Sequence, residues 1–222
     1  MALTVASAPA QSVLFDFNNA PDHTSLPIDL TAGGITAHFS ATGAGFSIQD
    51  TSAPVVPVGF TGRFIYPNSV FPADLLISFD HTLTDFSILY SPQELGCDDS
   101  ATMRVTASMD GVFVGTNTKI AKNPGTWPVD TLSCSFPKGF NSVVVHYDKK
   151  PPTCSDYGPI FLCDDMRVTT YGTNYGAGST GCNGPQTMVA QTKVAASTPT
   201  FRWERQIARP ARSDSCSRPT PR

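Results

Sequence analysis

Short runs of β-branched and aromatic residues recur along residues 13–171, with Gly, Pro, Asn and Asp between them. In many runs apolar and polar residues alternate, as Met103, Val105 and Ala107 do with the polar residues between them. This period of two is typical of strands with one face in a core, and no extended segment has a helical period. We therefore predict an all-β fold, an antiparallel β-sandwich of the jelly-roll type, with strands near Val13–Phe17, Ile35–Ser40, Gly45–Gln49, Arg63–Tyr66, Leu75–Phe79, Thr84–Tyr90, Thr102–Ser108, Val112–Lys119, Asp130–Ser135, Ser142–Tyr147 and Phe161–Tyr171.

Two local patterns make this prediction specific. Asp110-Gly111 lies between two alternating runs, and such a pair supplies the positive φ angles that a tight hairpin needs. The run Val143-Val144-Val145 is too apolar for a half-exposed strand and indicates burial on both faces, although a central strand of a sandwich with a covered face explains it as well.

The composition changes after Tyr171. A Gly/Ser/Thr/Asn-rich stretch leads into a tail rich in Arg, Pro and Ser, and neither has the apolar content for a core of its own. Residues 172–222 are thus expected to be a linker and a disordered basic tail, and residues 13–171 the sandwich domain. Residues 1–12 contain Ala8-Pro9-Ala10 before Gln11, a small-residue pattern typical of a signal-peptide remnant, although an unstructured extension explains them equally well.

Charge limits the partners of the folded body. The C-terminal tail contains six Arg and only two acidic residues, so it is positively charged. Because the net charge of the whole chain is −3, the body is strongly negative. An acidic body repels phosphate backbones, so we expect no nucleic-acid binding by the main domain. No apolar run is long enough to span a membrane.

Six cysteines indicate export to an oxidising compartment. They show neither a Cys-x-x-Cys pair nor zinc-ligand spacing with His, so disulfides are favoured over a metal. We prefer the pairs Cys97–Cys134 and Cys154–Cys163, while Cys182 and Cys216 either pair or stay free.

Four segments of the body resemble a known family: 75–92 (LLISFDHTLTDFSILYSP), 101–116 (ATMRVTASMDGVFVGT), 140–148 (FNSVVVHYD) and 160–171 (IFLCDDMRVTTY). They are similar to the secreted β-sandwich domains of bacterial exported and surface-anchored proteins, many with a PEP-CTERM-type sorting tail. The resemblance implies a jelly roll related to galactose-binding-like and carbohydrate-binding modules. No such sorting tail is recognisable here, and residues 175–190 resemble the start of a short Gly-rich repeat module.

The resemblance also implies a structural calcium site. In jelly-roll carbohydrate-binding modules a carboxylate at the head of the last strand often holds Ca²⁺, and oxygen ligands suit this ion. Asp164 and Asp165 stand at that place, and the first strand offers Asp16. In the alternative interpretation, Asp164 and Asp165 are turn and edge residues that bind backbone amides.

Aromatic side chains are the candidates for sugar contact, because sugar C–H surfaces stack on flat rings. Trp127 lies in a Gly/Pro loop and is the first candidate, followed by Tyr66, Tyr90 and Tyr157. In the alternative interpretation, Trp127 is a packed lid over the sandwich edge.

A secreted hydrolase, an esterase or glycosidase, is the alternative function. A Gly-x-Ser-x-Gly elbow is absent, and the four histidines are scattered. His146 could face Asp148 on one strand, but no serine is assigned to them. The sequence therefore favours a secreted, non-catalytic module that binds a glycan or cell-surface polysaccharide.

Overall fold

The computed structural model describes residues 10–53, 56–93, 101–122, 127–150 and 158–172. All of the described residues belong to one compact unit. They form ten strands and no helix: β1 (Ser12–Phe15), β2 (Ile28–Ala32), β3 (Ile35–Ala41), β4 (Phe46–Asp50), β5 (Arg63–Pro67), β6 (Leu75–Pro92), β7 (Thr102–Met109), β8 (Val112–Ile120), β9 (Asp130–Lys149) and β10 (Phe161–Thr170). Every strand pairing is antiparallel.

Two long strands build both layers of the fold. The first half of β6 pairs with β3 and with the second half of β9, whereas the second half of β6 pairs with β10 and with the first half of β9. The β6–β9 register shifts between Ser78 and Asp85, where both strands turn a corner. One layer thus has the order β2-β3-β6-β9-β7-β8. The other has the order β4-β5-β10-β6-β9, with β1 also paired to β10.

The inward faces of both layers meet in one apolar core. Phe39, Leu75 and Val145 of the first layer and Phe86 and Phe161 of the second belong to the same buried cluster. A smaller cluster of Phe60, Phe64 and Leu162 lies apart from it. The all-β, antiparallel sandwich predicted from the sequence is confirmed.

Most of the predicted strands are present, with three differences. Leu75–Phe79 and Thr84–Tyr90 are halves of β6, and Asp130–Ser135 and Ser142–Tyr147 are halves of β9. Strand β2 was not predicted; it forms by pairing with β3. Val143 and Val145 are buried and Val144 is half-buried, and β9 lies between β6 and β7, so the run fits the alternative of a central strand rather than full burial on both faces.

The Asp110-Gly111 hairpin is confirmed. Both residues have positive φ, 50° and 80°, and Met109 pairs with Val112 across the turn. Asn141 of β9 holds the turn in place, since its side chain donates to Asp110 Oδ1 at 2.7 Å and accepts from the Asp110 amide at 3.0 Å. No helix able to cross a membrane occurs in the described part of the chain.

Candidate functional site

Polar side chains cover part of the outer face of the second layer. Because Phe86, Leu132, Cys134, Met166 and Val168 point into the core, the residues that alternate with them face outward. We call this surface the polar platform; it consists of Ser12 on β1, Asp85 and Ser87 on β6, Asn117 on β8, Ser133 and Ser135 on β9, and Arg167 and Thr169 on β10.

The strand register orders the platform into two rows. Thr169, Asp85 and Ser135 face one another on neighbouring strands, and Ser12 extends this row onto β1. In the second row Arg167, Ser87 and Ser133 are likewise paired. The rows line a depression of about 480 Å³, which Phe86 and Cys134 also border although their side chains are buried in the core.

Few of the platform's polar groups are engaged by the protein itself. Thr84 Oγ1 donates to Asp85 Oδ2 at 2.7 Å, and Asn117 Nδ2 donates to the Ser133 carbonyl at 2.7 Å, which ties β8 to the rim. Arg167 makes no ion pair with any described residue and is exposed. Its guanidinium donors are therefore available to a ligand.

The thiol of Cys134, buried beneath the platform, is unreactive. Burial, reinforced by the nearby Asp85 carboxylate, raises the pKa of Cys134 to about 12. A thiol with this pKa stays protonated at physiological pH and is a poor nucleophile. The depression also contains a single carboxylate, Asp85, whereas glycoside hydrolysis generally uses a pair. The arrangement is thus suited to hydrogen bonding a polyhydroxylated ligand.

Of the four aromatic candidates for sugar contact, Tyr90 is excluded by its burial. Tyr90 is fully buried and its hydroxyl donates to the Lys119 carbonyl at 3.1 Å, so the hypothesis that it stacks on a sugar is wrong. Burial, with smaller contributions from Asp130 and Cys163, raises the pKa of Tyr90 well above its ordinary value. The alternating pattern around Tyr90 marked a strand but did not show which face was covered.

The other aromatic candidates lie elsewhere. Tyr66 is half-buried and packs against Phe64, with ring centroids 6.5 Å apart. Trp127 is half-buried just before β9. Tyr157 lies outside the described residues.

The three acidic candidates come together at the start of the last strand. Phe15 pairs with Met166, which places Asp16 beside Asp165. Asp164 is fully buried; Oδ2 accepts the Thr61 amide at 3.0 Å and Oδ1 accepts the Asp165 amide at 2.8 Å. Burial is the main cause that raises the pKa of Asp164 to about 7, and the charges of Asp165 and Asp16 raise it further.

This cluster is not a complete metal site by its side chains alone. Among the described residues no group of three His, Cys, Asp or Glu side chains is arranged to hold a metal ion. A cation bound here would need further oxygen ligands from the backbone, which Ca²⁺ accepts readily.

Cys134 and Cys163 are buried and carry free thiols in the structure. Their predicted partners, Cys97 and Cys154, lie outside the described residues, as do Cys182 and Cys216. The two disulfide pairs therefore stay predictions.

The histidines show no nucleophile partner. His146 Nδ1 is hydrogen-bonded to Asp74 at 2.6 Å, and Asp148 pairs instead with Arg104 at 3.0 Å, so a His146–Asp148 pair is wrong. His38 and His81 are likewise bonded to Asp29 and Asp80, respectively. In the described ranges, no serine hydroxyl is hydrogen-bonded to a histidine.

Sequence reasoning missed the polar platform itself. The signal was present as polar residues at alternate positions, for example Ser133 and Ser135 around the apolar Cys134. Nothing in the sequence showed that β1, β10, β6 and β9 lie side by side, and this order is what brings Ser12 next to Thr169.

Comparisons with known proteins place the chain among β-rich modules at low similarity. No family model matches it, and no curated protein matches it. The K2 cleaved adhesin domain of Lys-gingipain is 14% identical, with a TM-score of 0.47 over 72% of this chain and 100% of that domain. The corresponding K1 domain, from Porphyromonas gingivalis W83, is 13% identical, with a TM-score of 0.44 over 71% of this chain and 97% of its own.

A family 35 carbohydrate-binding module from Clostridium thermocellum is also similar, at 16% identity and a TM-score of 0.32, over 65% of this chain and 98% of that module. At these identities and TM-scores the likeness carries no argument about function. The proposals below therefore rest on the residues of this chain.

Proposed function

We propose that this chain is a secreted, non-catalytic module that binds a glycan or cell-surface polysaccharide on the polar platform. The supporting observation is the depression of about 480 Å³, in which hydroxyl, amide and guanidinium groups from five strands surround a single carboxylate. Donors and acceptors held on rigid strands suit the many hydroxyl groups of a sugar.

Arg167 is the residue that best tests this function. We expect Arg167→Ala to weaken glycan binding about tenfold or more, because a hydrogen bond from a charged donor is worth roughly 1.5–3 kcal/mol. A glycan array identifies the ligand, and isothermal titration calorimetry with the best hit gives the Kd of each variant. Arg104→Ala is the matched control, since Arg104 pairs with Asp148 in the other layer and does not line the platform.

Two results would reject the platform as the binding site. One is a wild-type chain that binds nothing on the array; the other is an Arg167→Ala variant that binds as tightly as the wild type. Trp127, half-buried just before β9, stays a proposed stacking residue, so the array is repeated with Trp127→Ala. Circular dichroism of each variant confirms that the fold is kept.

The proposal includes a structural calcium ion at the cluster of Asp16, Asp164 and Asp165, with backbone oxygens completing the ligand set because these three side chains are not arranged to hold it alone. The support is electrostatic: the charges of Asp16 and Asp165 both raise the pKa of Asp164, and a cation would relieve this repulsion between carboxylates. The ion would fasten the first strand to the last one, which are already paired through Phe15 and Met166.

Calcium is tested by thermal unfolding with and without chelator. We expect excess calcium to raise the Tm by about 3 °C or more, as for any ligand that binds only the folded state. Asp16→Asn and Asp165→Asn should abolish the shift, while Asp148→Asn, remote from the cluster, should keep it. An identical Tm with calcium and with chelator would rule the ion out.

A further inference from the structure

A second depression lies where β6 and β9 turn the corner between layers. We call it the corner depression; it measures about 590 Å³ and is lined by Asp80, His81, Thr82, Lys138, Thr170 and Tyr171. The function proposed above does not use any of these residues.

The corner depression is lined by residues on or next to β6, β9 and β10, three strands that also contribute to the polar platform. On β10 and just beyond it, Arg167 and Thr169 of the platform are followed by Thr170 and Tyr171 of the corner. On β6, Thr82 of the corner depression precedes Asp85 of the platform in the sequence. On β9 the platform residue Ser135 is followed by Lys138. On each of these strands, residues of the two depressions lie no more than about three positions apart in the sequence.

Tyr171 provides the corner depression with an exposed aromatic ring, which the residues of the polar platform do not include. Its side chain is 45% exposed, whereas Tyr90 is buried and Tyr66 is half-buried. The backbone beneath the ring is fixed, because the Tyr171 amide donates to the Thr82 carbonyl at 2.9 Å. A ring that is both exposed and positioned can stack on the C–H face of a sugar.

Polar groups flank this ring in the way that a sugar site requires. Lys138 is exposed and makes no ion pair with any described residue, so its ammonium is available as a donor. Asp80 is held in position by two bonds, from the Thr36 amide at 2.8 Å and with His81 Nδ1 at 2.7 Å.

We infer that the platform and the corner depression form one continuous track for a linear oligosaccharide, with Tyr171 as its stacking residue. The inference rests on the glycan function proposed above and extends it to a class of ligand. From Arg167 to Tyr171 the chain advances four residues, about 13 Å in a strand. One sugar ring is too short to contact both ends, so the ligand is an internal or terminal stretch of a linear chain.

The test is calorimetry with cello-, xylo-, manno- and laminari-oligosaccharides of one to six sugars. For the series that binds, we expect affinity to increase with length beyond a disaccharide. Tyr171→Ala should weaken the longer oligomers about tenfold and leave the disaccharide unchanged, and Tyr171→Phe should bind like the wild type because the ring is kept. Phe113→Ala is the matched control, an exposed aromatic on β8 outside both depressions.

The outcomes separate this inference from the proposed function. If Arg167→Ala weakens binding while Tyr171→Ala binds every length like the wild type, the platform stands and the track is overturned. The track is also overturned if a monosaccharide binds as tightly as a hexasaccharide. If the wild type binds a glycan on the array but none of these linear oligomers, the track is overturned and the platform stands; if it binds nothing on the array either, both fail.

Discussion

Asp164 shows how a single buried carboxyl shapes this molecule. Its two oxygens accept the amides of Thr61 and Asp165, so the side chain fastens the β4–β5 loop onto β10. These bonds favour the charged form, but burial away from water outweighs them, and the pKa of Asp164 rises to about 7. The fold thus holds a proton that the unfolded chain would release near pH 3.8.

This proton makes the stability of the calcium-free protein depend on pH. Because the folded-state pKa of Asp164 is raised, its contribution is fully present below pH 3.8 and is lost as the pH rises through about 7. We expect the free energy of unfolding to fall by roughly 3 kcal/mol across this window in chelator. Urea unfolding followed by circular dichroism at a series of pH values measures the fall.

Asp164→Asn isolates the effect of the buried carboxyl. The amide group cannot accept both backbone amides, so the variant should be less stable at low pH, but its stability should be nearly constant across the window. Asp165→Asn is the matched control and should keep most of the pH dependence. Parallel curves for the wild type and Asp164→Asn would show that another group titrates.

At the scale of strands, the sequence predicted where most strands lie but not which strands pair with one another. Alternation identified most strands, and the Asp110-Gly111 pair identified one hairpin, because both are local consequences of backbone geometry. The predicted strands stop on either side of the polar segment around His81 and of Pro137-Lys138-Gly139. In the structure these two segments are corners within β6 and β9, because a corner exposes backbone to water as a turn does.

The candidate site depends on the order of the strands, which no local pattern contains. Ser12 and Thr169 are paired although most of the described chain lies between them. Strand β2 was missed for a related reason: its residues are half-buried or exposed throughout, so its strand form depends on pairing with β3. Tyr90 was a candidate for sugar contact because of its residue type. Its burial depends on packing in the core between the layers, which no local pattern shows.

At the scale of the whole domain, β6 and β9 couple the two layers. Each strand contributes one half to each layer, and the core side chains of both layers belong to one cluster. One layer cannot separate from the other without disrupting these two strands. The described body should therefore unfold as one cooperative unit, as most small single domains do.

The buried thiols provide a direct measurement of this cooperativity. Burial raises the pKa of Cys134 to about 12 and that of Cys163 well above its ordinary value, so neither thiol reacts while the second layer is intact. In the reduced protein, in which any disulfides of these two cysteines are opened, we expect pulse alkylation of both to rise at the same urea concentration at which the β7 amides of the first layer lose protection from hydrogen exchange. Mass spectrometry of the peptides assigns each cysteine, and an introduced thiol at the exposed Val112, Val112→Cys, is the control that should react without denaturant. Alkylation of Cys134 or Cys163 at a lower urea concentration than the loss of β7 protection would mean that the second layer opens alone, and that the long strands do not couple the layers.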